Sequence, residues 1–481
     1  MNVAATLALL PLILIAATAV IVMLGIACKR SHALAAALTL VGLAAAFISI
    51  AAAVPLAPRQ VTSLLLVDRY ALFYIGLIIA SAAVVAVFSY QYFENHNGHR
   101  EELYLLLLLA TLGCAVLVAS SHFVSFLLGL EILSVSLYAM VAYLKEGERA
   151  LEAGIKYLIL ASASAAFLLF GMALIYAEAG TMEFWRIREV SANGSGFLVL
   201  LAGVVLTVTG IGFKLGVVPF HLWTPDVYQG APAPVAAFVA TTSKSAMVAL
   251  LLRYFHLSGA IGYRPVFLVF SVVAIASMCA GNLLALQQTN VKRILAYSSI
   301  AHFGYILVAF LAGGTMAIEA VSFYLVAYTV TILAAFGIVS VLSSSDRDAD
   351  DLEDYRGLFW RRPVIASVFT AALFSLAGIP ATMGFVGKFY VLSAGAAAAA
   401  WPLIIILVVT SVAGLFYYLR VVVTLFSAPP EHAAAQVVSI GQPAAWSGVF
   451  MLAVLSLLLI WFGVYPTPLL HVIRATMAAL S

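Results

Sequence analysis

The sequence contains very little charge. Only 9% of its 481 residues are Asp, Glu, Lys or Arg, whereas 65% are hydrophobic, and the mean hydropathy is +1.13. No polar stretch is long enough to fold as a soluble domain, and no nucleic-acid partner is expected. This composition is typical of an integral membrane protein whose main surroundings are the lipid bilayer.

The sequence also lacks the usual signals of a redox centre. Its three cysteines, Cys28, Cys114 and Cys279, are isolated from one another. There is no CxxC pair, no His/Cys cluster with metal-ligand spacing and no Gly-rich nucleotide loop. We therefore expect no metal and no cofactor on this chain.

Long apolar runs dominate what is present. A helix needs about 20 apolar residues to cross the hydrocarbon core, and fourteen candidate spans are centred near residues 14, 44, 81, 110, 133, 166, 208, 244, 275, 302, 328, 376, 413 and 458. A β-barrel would instead show alternating segments of about ten residues. The first run has no basic residue before it, so we interpret it as a span and not as a cleaved signal peptide. The prediction is an all-α polytopic membrane protein.

The Lys and Arg residues between the spans predict the orientation. Twelve follow odd-numbered spans, and seven follow even-numbered spans or lie in the C-terminal tail. The positive-inside rule then places the odd loops in the cytoplasm and both termini outside. Residues 343–363, the longest polar segment, are either a solvated connector or a docking surface, and Lys292 and Arg293 mark a cytoplasmic helix end.

Charged side chains inside the apolar runs are the main functional signal. They are Glu131, Lys156, Lys214, Lys244 and Lys388. A charge at bilayer depth costs about 2.5–3.5 kcal/mol on insertion scales, so such groups usually mark an ion or proton path. The alternatives are a structural hydrogen-bonding role for Glu131, a structural role for Lys244 and, for the other lysines, a side chain that reaches the membrane interface. His221 and His302 are weaker candidates, because a lone histidine in a span is more often a packing residue.

Two spans are interrupted in the same way. Residues 210–228 and 378–392 each combine Gly and Pro with one intramembrane lysine. Paired interruptions of this kind are typical of transporters built from repeats, and spans seven and twelve lie five helices apart, which requires an inverted repeat. Broken backbone at this depth must be buried in protein or face a water-filled cavity. We therefore expect both breaks inside the bundle.

Several segments resemble one known family. They are GLEILSVSLYAM, EAGIKYLILASASAAFLLFGMALIY, GIGFKLGVVPFHLWTPDVYQGAPAPVAAF, TTSKSA, NVKRILAYSSIAHFGYIL, and YRGLFWRRP followed by SLAGIPATMGFVGKFYVL. Together they look like the antiporter-like N subunits of bacterial respiratory complex I, NADH-quinone oxidoreductase. The resemblance runs from about residue 100 to residue 425.

The resemblance implies an organisation for the whole chain. It implies three N-terminal helices (residues 1–99), two inverted five-helix repeats formed by helices 4–8 (100–258) and 9–13 (259–428), and a last helix (429–481). It places the chain in the bacterial inner membrane beside other membrane-arm subunits, including further antiporter-like ones. NADH, FMN, iron–sulfur clusters and quinone would be bound by partner subunits.

The resemblance also implies roles for individual residues. It pairs Glu131 with Lys214, makes Lys244 the central relay and puts Lys388 on the second broken helix, with Lys156 and His302 as further family positions. The expected function is proton translocation coupled to NADH oxidation and quinone reduction. A sodium/proton antiporter component and a structural scaffold of the membrane arm remain as alternatives.

Overall fold

The computed structural model describes residues 3–477 except 95, 97, 146, 192–196, 346 and 429–445. The helices in these residues are α1 (Val3–Ala8), α2 (Leu10–Cys28), α3 (His32–Ala53), α4 (Arg69–Glu94), α5 (Glu102–Ala119), α6 (Phe123–Val141), α7 (Glu148–Ala179), α8 (Phe184–Ser191), α9 (Phe197–Leu215), α10 (Trp223–Gly230), α11 (Ala233–Phe238), α12 (Lys244–Ser258), α13 (Arg264–Leu286), α14 (Val291–Ala312), α15 (Gly314–Leu342), α16 (Leu358–Arg361), α17 (Pro363–Ala377), α18 (Met383–Ala397), α19 (Trp401–Phe426), α20 (Trp446–Val464) and α21 (Thr467–Met477). Strands β1 (Arg59–Gln60) and β2 (Leu66–Val67) form a small antiparallel pair.

The predicted all-α polytopic fold is confirmed, but the number of continuous spans differs. Thirteen helical segments of the described chain are long and apolar enough to cross a membrane. In this count α11, the residues 239–243 and α12 form one segment, Ala233–Ser258. The predicted span near residue 376 consists instead of α17 and α18, which have 15 residues each. A 15-residue helix is about 22 Å long, shorter than the hydrocarbon core of about 30 Å. The predicted domain boundary at residue 429 lies outside the described residues.

The helices differ greatly in burial. Almost every residue of α11, α12, α14 and α15 is buried, whereas α2, α3, α19 and α20 expose most of their length. The buried helices also carry many of the polar side chains of the spans, because hydroxyl and imidazole groups at bilayer depth need protein partners. The predicted relay residues of α12 and α14 therefore lie at the centre of the bundle.

Part of the segment 343–363 packs against the body of the protein, as its residues 348–350 show. The Asp348 carboxylate accepts hydrogen bonds from Lys292 Nζ at 2.5 Å and from the Tyr92 hydroxyl at 2.7 Å. Lys292 is itself buried, so it does more than mark a helix end. Nearby, burial raises the pKa of the Asp350 carboxyl, and a hydrogen bond from Asn290 at 2.6 Å partly offsets that effect.

Arg253 stands near the end of an apolar run and is one of the seven basic residues predicted to follow even-numbered spans, and this prediction is wrong. It lies inside α12 and is fully buried. Its Nη2 donates to Asp68 Oδ1 at 2.6 Å, and its guanidinium lies 5.1 Å from the ring centre of Tyr70. An ion pair between buried groups of distant segments therefore ties α12 to the start of α4.

Candidate functional site

Both predicted helix breaks are present, and each places a glycine beside a buried lysine. Gly216 follows α9 with φ of +69°, and Gly378 follows α17 with φ of +83°. These are left-handed conformations that favour glycine. A Cβ atom on Gly216 would lie 3.3 Å from Lys244 Nζ, and one on Gly378 would lie 2.8 Å from Lys388 Cδ. A side chain at either position would therefore crowd a lysine.

Lys214, in the last turn of α9, is bound by hydroxyl groups. Its Nζ donates to Ser134 Oγ at 3.1 Å and to the Tyr157 hydroxyl at 3.0 Å. Glu131 is half-buried on α6, three residues before Ser134 and so on the same helix face. Glu131 and Lys214 are not in direct contact, because no N–O distance of 4.0 Å or less joins them in the described chain. Ser134 occupies the position next to the ammonium instead.

Lys244 lies at the centre of the site. A π-helical segment, Val239–Ser243, immediately precedes it, and such segments are frequent at functional sites. Its Nζ donates to Ser299 Oγ on α14 at 2.9 Å. Three aromatic rings surround the ammonium at 4.8–5.9 Å from their centres, those of Phe303, Tyr228 and Trp223. Such rings stabilise a cation without supplying a negative charge.

Hydroxyl groups and one imidazole form two hydrogen-bonded groups beyond Lys244. Ser299 also accepts a hydrogen bond from the Tyr328 hydroxyl at 2.7 Å. One turn further along α14, His302 contacts the Tyr324 hydroxyl at 2.7 Å and the Tyr418 hydroxyl at 3.1 Å. The structure therefore places His302 between Lys244 and the second broken span, on the buried side of α14.

Lys388 closes the other end of the site. Its Nζ donates to the carbonyl of Ala377 at 2.9 Å and to Ser411 Oγ at 2.7 Å, and it lies 5.3 Å from the ring centre of Tyr305. The Ala377 carbonyl is available because α17 ends there, and the negative end of a helix favours a cation. The break thus supplies a ligand for the lysine.

Two predicted residues lie away from this row. Lys156 is 43% exposed and forms ion pairs with Glu152 at 2.6 Å and with Asp226 at 3.0 Å. His221 is half-buried in the turn between α9 and α10. The structure does not bring either into direct hydrogen-bond contact with the buried lysines.

Sequence reasoning missed the hydroxyl groups that surround the buried lysines and His302. They are Ser134, Tyr157, Ser299, Tyr305, Tyr324, Tyr328, Ser411 and Tyr418. These side chains come from different helices, so no local spacing relates them to their lysines.

The chain has extensive similarity to known proteins. Residues 120–414 match the family described as NADH:quinone oxidoreductase/Mrp antiporter, TM. The chain is 49% identical to NADH-quinone oxidoreductase subunit N of Ectopseudomonas mendocina (strain ymp), over 98% of this chain and 97% of that protein. The chain belongs to the subunit N family. This confirms the resemblance drawn from the sequence motifs.

Solved structures agree with this membership. A chain of respiratory complex I from Thermus thermophilus, solved with bound aureothin, is 32% identical to this subunit N family member, with a TM-score of 0.82 and coverage of 96% of this chain and 98% of that one. A chain of the Mrp complex from Dietzia sp. DQ12-45-1b is 20% identical, with a TM-score of 0.87 and coverage of 100% and 98%. The second likeness shows a common fold.

Proposed function

We propose that this chain is a proton-translocating membrane-arm subunit of NADH-quinone oxidoreductase. NADH is oxidised and quinone reduced on other subunits, which carry the FMN and the iron–sulfur clusters. The observation that carries the proposal is the row of buried lysines: Lys214, Lys244 and Lys388 are only 3%, 0% and 8% exposed. An ammonium at this depth is costly, so each lysine holds its proton only while its neighbours stabilise it.

The proton relay runs from Glu131 through Lys214, Lys244 and His302 to Lys388. Hydroxyl groups contact each of the three lysines and the imidazole, and a hydroxyl can accept one proton while it donates another. Lys156 and His221 have a smaller part in this proposal, because Lys156 is engaged with two carboxylates at the edge of the bundle.

The step from Lys214 to Lys244 needs an additional carrier. Trp223 lies between them, with its ring 4.9 Å from that of Tyr157 and 5.9 Å from Lys244 Nζ. Beside it, Thr224 Oγ1 is buried without a hydrogen-bond partner in the described chain. It lies next to Gly216, where a Cβ atom would crowd it. A polar group of this kind is a favourable partner for a buried water molecule, and we assign the transfer to such a water.

The location follows from the same proposal. The chain lies in the bacterial inner membrane, assembled with other membrane-arm subunits including antiporter-like ones, and both termini face the periplasm. No redox cofactor is bound by this chain. Oxidation of NADH by the purified single subunit, or a stoichiometric iron–sulfur cluster on it, would contradict that assignment.

The direct test is Lys244→Ala in the intact complex. We expect fewer protons pumped per NADH oxidised in inverted membrane vesicles, with normal assembly, because the substitution removes a costly charge from the centre of the bundle. Lys145→Ala is the matched control, since Lys145 is exposed. Wild-type pumping in Lys244→Ala would assign this lysine to structure, and pumping that required sodium would favour the antiporter alternative.

A further inference from the structure

Asp226 occupies an unusual position on the short helix α10. Its two carboxylate oxygens form ion pairs with Lys156 Nζ of α7 at 3.0 Å and with Arg293 Nη1 of α14 at 2.9 Å. Gln229, on the same helix, also accepts from Arg293 at 3.1 Å. Ion pairs thus connect one side of α10 to two neighbouring helices, α7 and α14.

The helix α10 has little support of its own. It has eight residues, and isolated helices shorter than about 12 residues are marginal. The left-handed Gly216 lies before it, and Pro232, which has no backbone N–H, follows it. Its position therefore depends on side-chain contacts with the rest of the bundle.

The same helix carries part of the surroundings of Lys244. The ring centres of Trp223 and Tyr228 lie 5.9 Å and 5.4 Å from Lys244 Nζ. Trp223 also donates its indole N–H to the Phe213 carbonyl at 2.9 Å, next to Lys214. A rotation or shift of α10 would change the contacts around both lysines at once.

We propose that Asp226 is a positioning residue for proton transfer. Its bridges to Lys156 and Arg293 fix α10, and α10 in turn fixes the aromatic walls between Lys214 and Lys244. This rests on the proposed proton relay, and it gives Lys156 a role as an anchor of α10 in place of a relay step.

The neighbouring Glu152 provides a matched control. Glu152 also contacts Lys156 Nζ, at 2.6 Å, but it lies on α7 with Lys156 and forms no ion pair with α10 in the described chain. Asp226→Asn and Glu152→Gln therefore remove a carboxylate from the same lysine, and only the first removes an anchor of α10.

The experiment measures two quantities in the intact complex: protons pumped per NADH oxidised, and hydrogen–deuterium exchange of the amides of residues 223–230. For Asp226→Asn we expect lower pumping and exchange about three- to tenfold faster, equivalent to about 0.6–1.4 kcal/mol. This change fits the loss of two partly exposed ion pairs, those with Lys156 and Arg293. In Asp226→Glu the proton pumping and the amide exchange should both be close to wild type, because the carboxylate is kept. Glu152→Gln should change neither of them.

The outcomes separate this inference from the relay itself. Lower pumping in Asp226→Asn with unchanged exchange would overturn the positioning role, and so would faster exchange with unchanged pumping. If Asp226→Asn fails to assemble, Lys156→Gln removes only one of the two bridges from the edge of the bundle and should give a smaller change in both quantities. Normal behaviour of Lys156→Gln would then overturn the proposal. A failure of the relay would appear separately, as wild-type pumping in Lys244→Ala.

Discussion

The ion pair between Arg253 and Asp68 predicts that one small substitution, Asp68→Asn, strongly destabilises the protein. Asp68 Oδ1 also accepts a hydrogen bond from the backbone N–H of Ala71 at 2.7 Å, at the start of α4. Asparagine has nearly the same shape and keeps an oxygen for that bond. The substitution therefore removes the charge and leaves the cap of α4 in place.

The structure sets the magnitude of the effect. The guanidinium is fully buried, its only other hydrogen bond within the described chain is a long one of 3.4 Å to the Leu66 carbonyl, and its Nε has no partner there. Removing one partner of a buried ion pair costs about 3–5 kcal/mol, because the remaining charge has no compensation. The pair between Arg474 and Glu319 has an arginine that is 56% exposed, and exposed pairs contribute only about 0–1 kcal/mol.

The assay is SDS-induced unfolding of the purified subunit in mixed micelles. The free energy of unfolding should fall by about 3 kcal/mol or more in Asp68→Asn, and by no more than about 1 kcal/mol in the control Glu319→Gln. The double variant Asp68→Asn with Arg253→Met should recover most of the loss, since it leaves no unpaired charge and keeps the oxygen that caps α4. Equal losses in Asp68→Asn and Glu319→Gln would refute this reasoning.

Three further predictions concern the relay and the topology. Glu131→Gln and Lys214→Met should each reduce proton pumping. The double variant should be barely worse than either, because the two residues control the same proton-transfer step. If the two single defects multiply in the double variant at matched assembly, the residues act independently. Lys388→Met should lower coupled quinone reduction without preventing assembly, and normal pumping would make that lysine structural. Reporter fusions should place both termini outside and residues 343–363 in the cytoplasm, and a cytoplasmic C-terminus would contradict the charge distribution.

The helix breaks could be predicted from the sequence because they have local causes. Gly216 and Gly378 each interrupt a long apolar run, and a lysine lies nearby in the same run. Backbone groups freed at bilayer depth must be satisfied by protein or water, which places such a break inside the bundle. The structure contains both breaks, and the lysines of the two runs, Lys214 and Lys388, are buried.

The buried ion pairs could not be predicted, because their partners are far apart in the sequence. Arg253 stands near the end of an apolar run, where an arginine usually marks the membrane interface. Its partner Asp68 lies 185 residues earlier. Lys292 and Asp348 are separated by 56 residues, which include most of α14 and all of α15. Only the packing of the helices brings these charges together. The local sequence around each of them therefore predicts a surface residue.

The environment of Lys214 shows a second limit of sequence reasoning. The sequence identified both Glu131 and Lys214, and the family resemblance joined them, yet the ammonium is bound by Ser134 and Tyr157. Two hydroxyl groups can satisfy an ammonium at a lower desolvation cost than a buried carboxylate, which must itself leave water. Hydroxyls are common in apolar spans, because they can bond to the carbonyl four residues earlier, as Ser136 does. A serine that binds a lysine therefore has the same sequence signature as a serine that bonds only to its own helix, and the choice between them is made by the neighbouring helix.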